Sequence, residues 1–327
     1  MLDVVSLGEL LIDFVATEKG VTLADSPAFA KKPGGAPANV AVGLAKLGLR
    51  TGFVGKVGDD AFGAFLRTTL EAHRVDCSHL ATDAQARTTL AFVSLTPDGS
   101  PDFAFYRNPG ADMRLCPADI DEAFHRAARA FHFGSISLTH PEPKAATLKA
   151  IAIAIAKANG QPVSYDPNYR PALWPDPGQA RAEILGGFEH ADVAKVSEEE
   201  WEFVTGTPDL EAGARRLLER GVKLLVVSLG ANGCWFTTAS ASGHVPGYTV
   251  EVAETTGSGD GFVAALLTQL IGEVGSPADI AGITVERLSE ICDFANAVGA
   301  LTATKVGAIP GLPTRDEALR FWEQQKR

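Results

Sequence analysis

Cysteine is scarce and scattered: the chain has four, Cys77, Cys116, Cys234 and Cys292, with no C-x-x-C pair. That spacing disfavours a zinc knuckle or a disulfide-stapled secreted domain and points to reduced thiols in a cytoplasmic setting. Positive charge is also in deficit, with 29 Lys and Arg against 40 Asp and Glu, a net charge of −11 and a pI of about 5.1. No broad nucleic-acid or anionic-membrane surface is expected, and any phosphate site must be made positive locally. Long apolar runs are missing: residues 145–156 and 262–271 are interrupted by Lys149 and Gln269 and fall short of the roughly 20 residues that span a bilayer. No basic segment precedes the strand-like residues 4–7, so no signal peptide is expected. There is no G-x-x-x-x-G-K-[ST] phosphate loop. Gly257-x-Gly259-x-Gly261 is followed by Phe262 where a dinucleotide fingerprint needs a small residue, and Gly257-Ser258-Gly259 has the wrong spacing for a nucleophile elbow. The seven histidines show no metal-ligand pattern.

What is present is strand and helix in alternation. Hydrophobic residues make up 46% of the 327, enough for a sizeable core. Short apolar strands are expected at 4–7, 10–15, 51–57, 130–133, 162–166, 193–196, 224–228 and 248–252. Helices are expected from 38 to 47 and at 59–72, 119–129, 142–159, 179–188, 198–205, 209–220 and from 262 onward. This is the pattern of a mostly parallel sheet covered on both faces, with ligands beyond the carboxyl ends of its strands. Residues 88–95 and 102–106 instead flank Thr96-Pro97-Asp98-Gly99-Ser100, a hairpin turn signal with no helix between, so this pair is expected to leave the main sheet. A second hairpin is expected at 233–244. No linker divides the chain, which reads as one domain over 1–327.

Two glycine-rich turns precede helices: Gly34-Gly35-Ala36-Pro37-Ala38-Asn39 and Glu254-Thr255-Thr256-Gly257-Ser258-Gly259-Asp260. Glycines let backbone approach a ligand closely, and a helix N-terminus offers free N–H donors and the positive end of a dipole, a combination suited to phosphate. Asp260 is a carboxylate in the middle of this anion-friendly turn, as a base beside a phosphate would be. Plainer roles exist for each residue. Asp260 could cap a helix, Gly34 and Gly35 could form only a tight turn, and Glu198-Glu199-Glu200 could be a solvated first turn. Arg107 could be an exposed hairpin charge and Arg170 a surface ion pair.

Together, in this order and spacing, the two turns resemble the paired signatures of the pfkB (ribokinase-like) sugar kinases. The resemblance extends over Gly8-Glu9-Leu10-Leu11-Ile12-Asp13, Asp166-Pro167-Asn168-Tyr169-Arg170, Lys195-Val196-Ser197-Glu198-Glu199-Glu200, Ser228-Leu229-Gly230 and Asn296-Ala297-Val298-Gly299-Ala300. Tyr106-Arg107-Asn108-Pro109-Gly110-Ala111-Asp112-Met113 and Leu173-Trp174-Pro175 look most like fructokinases within that family. The resemblance implies a three-layer α/β/α sandwich whose segments 14–33 and 87–110 form a small β-lid over the sugar. It implies Asp260 as general base, with the backbone N–H groups of Gly257, Ser258 and Gly259 as anion hole. Asp13, Gly34, Gly35 and Asn39 would bind the sugar, and Arg107 and Arg170 would reach the sugar or the incoming phosphate. Ser197, Ser228, Gly230, Gly257, Gly259 and Asn296 would lie by ATP. Ser197 and Glu200 match an element that orders Mg²⁺ and its waters, with serine where the family has asparagine. Glu254 and Thr256 match a K⁺ site, with glutamate where aspartate is usual. A homodimer through the lid follows by the same analogy. The alternatives are 2-keto-3-deoxygluconate kinase, then aminoimidazole riboside kinase or ribokinase, and, from another class, a catalytically inactive sugar or nucleotide sensor. A second arginine aimed at a substrate carboxylate would favour the keto acid.

Overall fold

The computed structural model describes residues 1–18, 20–95, 101–156 and 160–325. The chain begins with β1 (Val4–Leu7), β2 (Leu11–Ala16) and β3 (Phe29–Gly34), followed by helix α1 (Ala36–Lys46), β4 (Thr51–Gly58), helix α2 (Ala61–Ala72) and β5 (Leu80–Asp83). After β6 (Leu90–Leu95) and β7 (Pro101–Tyr106) come α3 (Glu122–Arg126), β8 (Ala130–Gly134), α4 (Pro141–Ile155), β9 (Val163–Asp166) and α5 (Pro177–Phe188). Next are β10 (Val193–Ser197), α6 (Glu198–Thr205), α7 (Leu210–Leu218), β11 (Leu224–Ser228), β12 (Cys234–Thr237) and β13 (Ser242–Val245). Helices α8 (Ser258–Glu273), α9 (Val285–Ala303), α10 (Ala308–Gly311) and α11 (Arg315–Gln325) complete the chain.

Nine strands form one sheet in the order β13-β12-β11-β10-β9-β8-β1-β4-β5. Every pairing from β11 to β5 is parallel, and β12 and β13 fold back antiparallel at the edge. Successive side chains of β11 enter opposite layers: Leu225 and Val227 pack with Ile184 of α5, Trp201 of α6 and Leu217 of α7, whereas Leu224 and Val226 pack with Leu44 of α1, Leu266 of α8 and Ile291 of α9. The period of two and burial on both sides make these strands near-continuous apolar runs, which is why they were legible as strands. The four-stranded second sheet, β3-β2-β6-β7, contains the pair expected to leave the main sheet, and β2, expected among the strands of that sheet, joins it because it pairs with β3 and β6. β6 and β7 pair antiparallel; the turn expected at 96–100 lies outside the described residues, as does the expected helix end at 157–159.

Two expectations need correction. Residues 248–252 form no strand. Beyond β13 the chain leaves the sheet at Pro246 and runs beside α9, where the Tyr248 hydroxyl donates to Asp293 Oδ1 at 2.6 Å and the Ala253 and Glu254 amides both donate to Ala303 O. Strand-like composition had no adjacent strand to pair with. The helix expected at 119–129 shrinks to the five residues of α3, with a separate turn at Pro117–Asp119.

Candidate active site

The first turns of α1 and α8 meet beyond the carboxyl ends of the central strands. Gly35 is the N-cap of α1 at φ 111°, a left-handed conformation that glycine tolerates, and a Cβ there would lie 2.3 Å from Glu9 O. Pro37 sits in the first turn, where its missing N–H costs nothing. The cap is supplied from elsewhere: Ala36 N donates to Glu9 Oε1 at 2.8 Å. Burial pushes the Glu9 carboxyl up to about 7. Gly257 is the N-cap of α8 at φ 82°, and a Cβ there would lie 2.6 Å from Ala308 Cβ. Asp260 therefore stands in the first helical turn and does not cap it with its side chain.

The two signature turns are tied directly. Asn39 Nδ2 donates to Asp260 Oδ2 at 2.8 Å, both side chains being buried. Among the described residues, Asn39 Oδ1 and Ser258 Oγ are buried with no hydrogen-bond partner, so each retains unused polar capacity at the site. Burial drives the Asp260 carboxyl up to about 6; Asp166 pushes the same way, while Asn39, Lys195 and Arg170 oppose it. A carboxylate at that value is mostly ionised at neutral pH and is still a competent proton acceptor. Asp13, on β2, is also raised by burial to about 7, with Arg170 opposing and Glu254 and Asp260 adding repulsion. Gly34 is small because of it: a Cβ would lie 2.1 Å from Asp13 Oδ2. Asp13, Gly34, Gly35, Asn39, Gly257, Ser258, Gly259 and Asp260 are thus brought to one place, with Arg170 within electrostatic reach of both Asp13 and Asp260.

Arg170 lies at the start of the turn Pro171–Leu173, and its Nη1 donates to Tyr169 O at 3.1 Å. The preceding loop is fixed by Asn168, left-handed at φ 43°, whose amide donates to Asp166 Oδ1. Arg107 is neither an exposed hairpin charge nor free. Its Nε donates to Asp112 Oδ2 at 2.7 Å and its Nη1 to Thr139 Oγ1 at 2.9 Å, with only 6% of the side chain exposed.

Ser197 and Glu200 form a capping box on α6, the Ser197 amide and hydroxyl both donating to Glu200 Oε2. Glu200 Oε1 accepts from the Tyr169 amide, so Glu200 is buried rather than part of a solvated first turn, and it caps α6 while latching the Arg170 loop. Ser228 ends β11 opposite Ser197. Gly230 follows at φ 56° with open space where a Cβ would stand, a surface that backbone can offer to a flat ligand. Asn296 Nδ2 donates to Val245 O and Pro246 O, so its amide holds the end of β13. Glu254 Oε2 accepts from the Gly307 amide at 2.8 Å, and Thr256 is exposed nearby in sequence. Among the described residues, no group of three or more His, Cys, Asp or Glu is arranged to hold a metal ion. A divalent ion would then be held chiefly by nucleotide phosphates and water, as Mg²⁺ commonly is.

Sequence reasoning assigned no role to Lys195 and Asp166. Both are buried on neighbouring parallel strands, Asp166 ending β9 and Lys195 in the middle of β10, with Lys195 Nζ 3.2 Å from Asp166 Oδ2. The available signal was an ionic residue inside each of two apolar strands.

The sequence matches the pfkB family carbohydrate kinase profile over residues 1–315. Fructokinase-1 of Oryza sativa subsp. japonica is 49% identical over 321 residues, covering 98% of this chain and 97% of that protein. The crystal structure of a Xylella fastidiosa fructokinase with bound ATP superposes with a TM-score of 0.91 at 34% identity, covering 99% of both chains. That of a Vibrio cholerae O395 fructokinase with fructose, ADP and calcium ion bound gives a TM-score of 0.86 at 35% identity, covering 98% of this chain and 99% of the other. With a full-length family match and a relative near half identity, the chain belongs to the pfkB family of carbohydrate kinases.

Proposed function

We propose that this protein is an ATP-dependent fructokinase that converts D-fructose and ATP to fructose 6-phosphate and ADP. The observation that carries the reading is the Asn39–Asp260 hydrogen bond, which joins a sugar-side turn to a phosphate-side turn in one buried site. Asp260 takes the proton of the sugar hydroxyl as it attacks the γ-phosphoryl group, and the backbone N–H groups of Gly257, Ser258 and Gly259 receive the charge that develops on the transferred group. Asp13, Asn39 and the Gly34-Gly35 backbone orient the sugar, and Arg170 steadies its incoming phosphate. Ser197, Ser228, Gly230 and Asn296 lie along the nucleotide. The second sheet closes over the sugar as a lid and limits wasteful hydrolysis.

Mg²⁺ travels with ATP and neutralises the phosphates when bound. Glu200, its oxygens engaged by amides and Ser197, acts on that ion only through water. Glu254 with Thr256 is the candidate K⁺ position. Fructose is favoured over a keto acid because Arg107, the second guanidinium that could meet a carboxylate, is paired with Asp112. The exposed Phe103 and Tyr106 on β7, an edge strand of the second sheet, suit pairing of two lids in a homodimer. The four free thiols accord with a cytoplasmic enzyme.

The test is ADP release with ATP and Mg²⁺ over fructose, 2-keto-3-deoxygluconate, ribose and aminoimidazole riboside, with and without K⁺. Fructose should give the highest kcat/KM. If another sugar does, the substrate assignment fails, and if none stimulates ADP release while ATP still binds, the protein is a sensor.

A further inference from the structure

Lys195 is a buried cation in the middle of β10 whose ammonium lies against the turn that opens α8. A Cβ built on Gly259 would lie 3.1 Å from Lys195 Nζ, so the ammonium lies against the backbone of the anion hole. Among the described residues it has a single hydrogen-bond acceptor, Asp166 Oδ2 at 3.2 Å. An ammonium carries three donors, and two are left over although only 8% of the side chain is exposed. Lys56, the other buried lysine, differs: its ammonium meets Asp119 at 2.6 Å and the Arg114 carbonyl at 2.8 Å, contacts within the scaffold. A buried ion pair is a poor source of stability compared with apolar packing, and nothing about the sheet requires a lysine at this position.

We infer that Lys195 is a positioning residue for phosphoryl transfer: held by Asp166 beneath Gly259, its ammonium is the fixed positive charge that keeps Asp260 ionised and backs the anion hole. The inference deepens the proposed function and rests on it for the identity of the base. It also accounts for a phosphate site in a chain of net charge −11: helix termini supply partial charges, and Lys195 supplies a full one from within the fold.

Asp260 is faced by Asn39 from α1, Asp166 from β9, Arg170 from the loop after β9, Lys195 from β10 and Asp13 from β2. Lys195 lowers its proton affinity and Asp166 raises it. Removing the two members of one ion pair should therefore move Asp260 in opposite directions. A purely structural pair would give no such opposition.

The experiment is the pH dependence of kcat with fructose, together with ¹³C carboxyl NMR titration of Asp260, in wild type, Lys195→Met and Asp166→Asn. The Asp260 resonance is identified by its loss in Asp260→Asn. In Lys195→Met, kcat at pH 7.5 is expected to fall by about 10², with KM for fructose changed much less, and the Asp260 midpoint to rise by about one pH unit. In Asp166→Asn the midpoint is expected to fall. Midpoints that stay put, or that move the same way in both variants, overturn the inference. Should Lys195→Met fail to fold, Asp166→Asn alone decides: a midpoint unchanged or raised overturns it. The NMR titration needs no turnover. A wild type that phosphorylates no fructose thus sinks the proposed function separately, and unmoved midpoints in an active enzyme sink only the role of Lys195.

Discussion

Replacing Asp260 by asparagine should cost turnover and raise stability. The carboxylate is buried, and its proton-release point in the fold is about 6, raised from 3.8 chiefly by loss of hydration. Unfolded, the group ionises near 3.8; folded, it keeps its proton until near 6. In that window the folded state holds the extra proton, so its contribution to stability is full below 3.8, declines as pH rises and is lost above 6. The shift of roughly two units corresponds to roughly 3 kcal/mol, at about 1.4 kcal/mol per unit. The amide has nearly the carboxylate's shape and can still accept from Asn39 Nδ2, so Asp260→Asn should recover much of that energy at pH 7.5. The gain should disappear near pH 4. A chain of this size should then melt a few degrees higher at pH 7.5. Without a base, kcat should fall by about 10³ or more. The assays are paired thermal melts at pH 4 and pH 7.5 and steady-state ADP release with fructose. A variant no more stable than wild type at pH 7.5, or a stability difference independent of pH, would refute the burial account. Turnover within tenfold of wild type would remove Asp260 from the chemistry.

Three further outcomes test other parts of the molecule. Gly257→Ala places a Cβ 2.6 Å from Ala308 Cβ on a residue at φ 82°; kcat should drop at least tenfold and the melting point should fall, and a fully active variant would show that the turn can shift freely. Arg107→Met leaves Asp112, 4% exposed, without its partner and should cost about 3–5 kcal/mol in urea unfolding; a loss confined to KM for the sugar would instead put the guanidinium on the substrate. If the lids pair as proposed, wild type should sediment as a dimer and Phe103→Glu combined with Tyr106→Glu as a monomer; a monomeric wild type or an unchanged value would refute that pairing.

The sheet was readable because its strands are buried on both faces, so that 193–196 and 224–228 are apolar except for Lys195 and Ser228 and are bounded by helical segments. The two glycine-rich turns were readable for a different reason: Gly35 and Gly257 occupy left-handed backbone that only glycine tolerates well, so the backbone left its mark on residue type. Three things were hidden. Residues 248–252 have strand composition, and their fate depended on whether a neighbouring strand existed, a fact of topology. Arg107 is followed closely by Asp112, yet nothing local says that its guanidinium turns inward to that carboxylate and Thr139. Lys195 looks like one charge interrupting an apolar strand, and its importance appears only when Gly259, 64 positions later, comes to rest on it.

The contact between the two catalytic turns continues along their helices: a Cβ on Gly43 of α1 would lie 2.7 Å from Ala264 Cβ of α8. With Asn39 bonded to Asp260 at one end and this close approach further along, α1 and α8 make a single rigid block. A sugar hydroxyl held by Asn39, as proposed, then stays in register with Asp260. Recognition and reaction become separable. Substitutions on β6 and β7 can retune which carbohydrate is admitted while leaving proton transfer unaltered, whereas changes within α1 or α8, or at Asp13 of β2, disturb both at once. A directed search for new sugar substrates should therefore vary β6 and β7 and hold the helix pair, Asp13 and Gly34 constant.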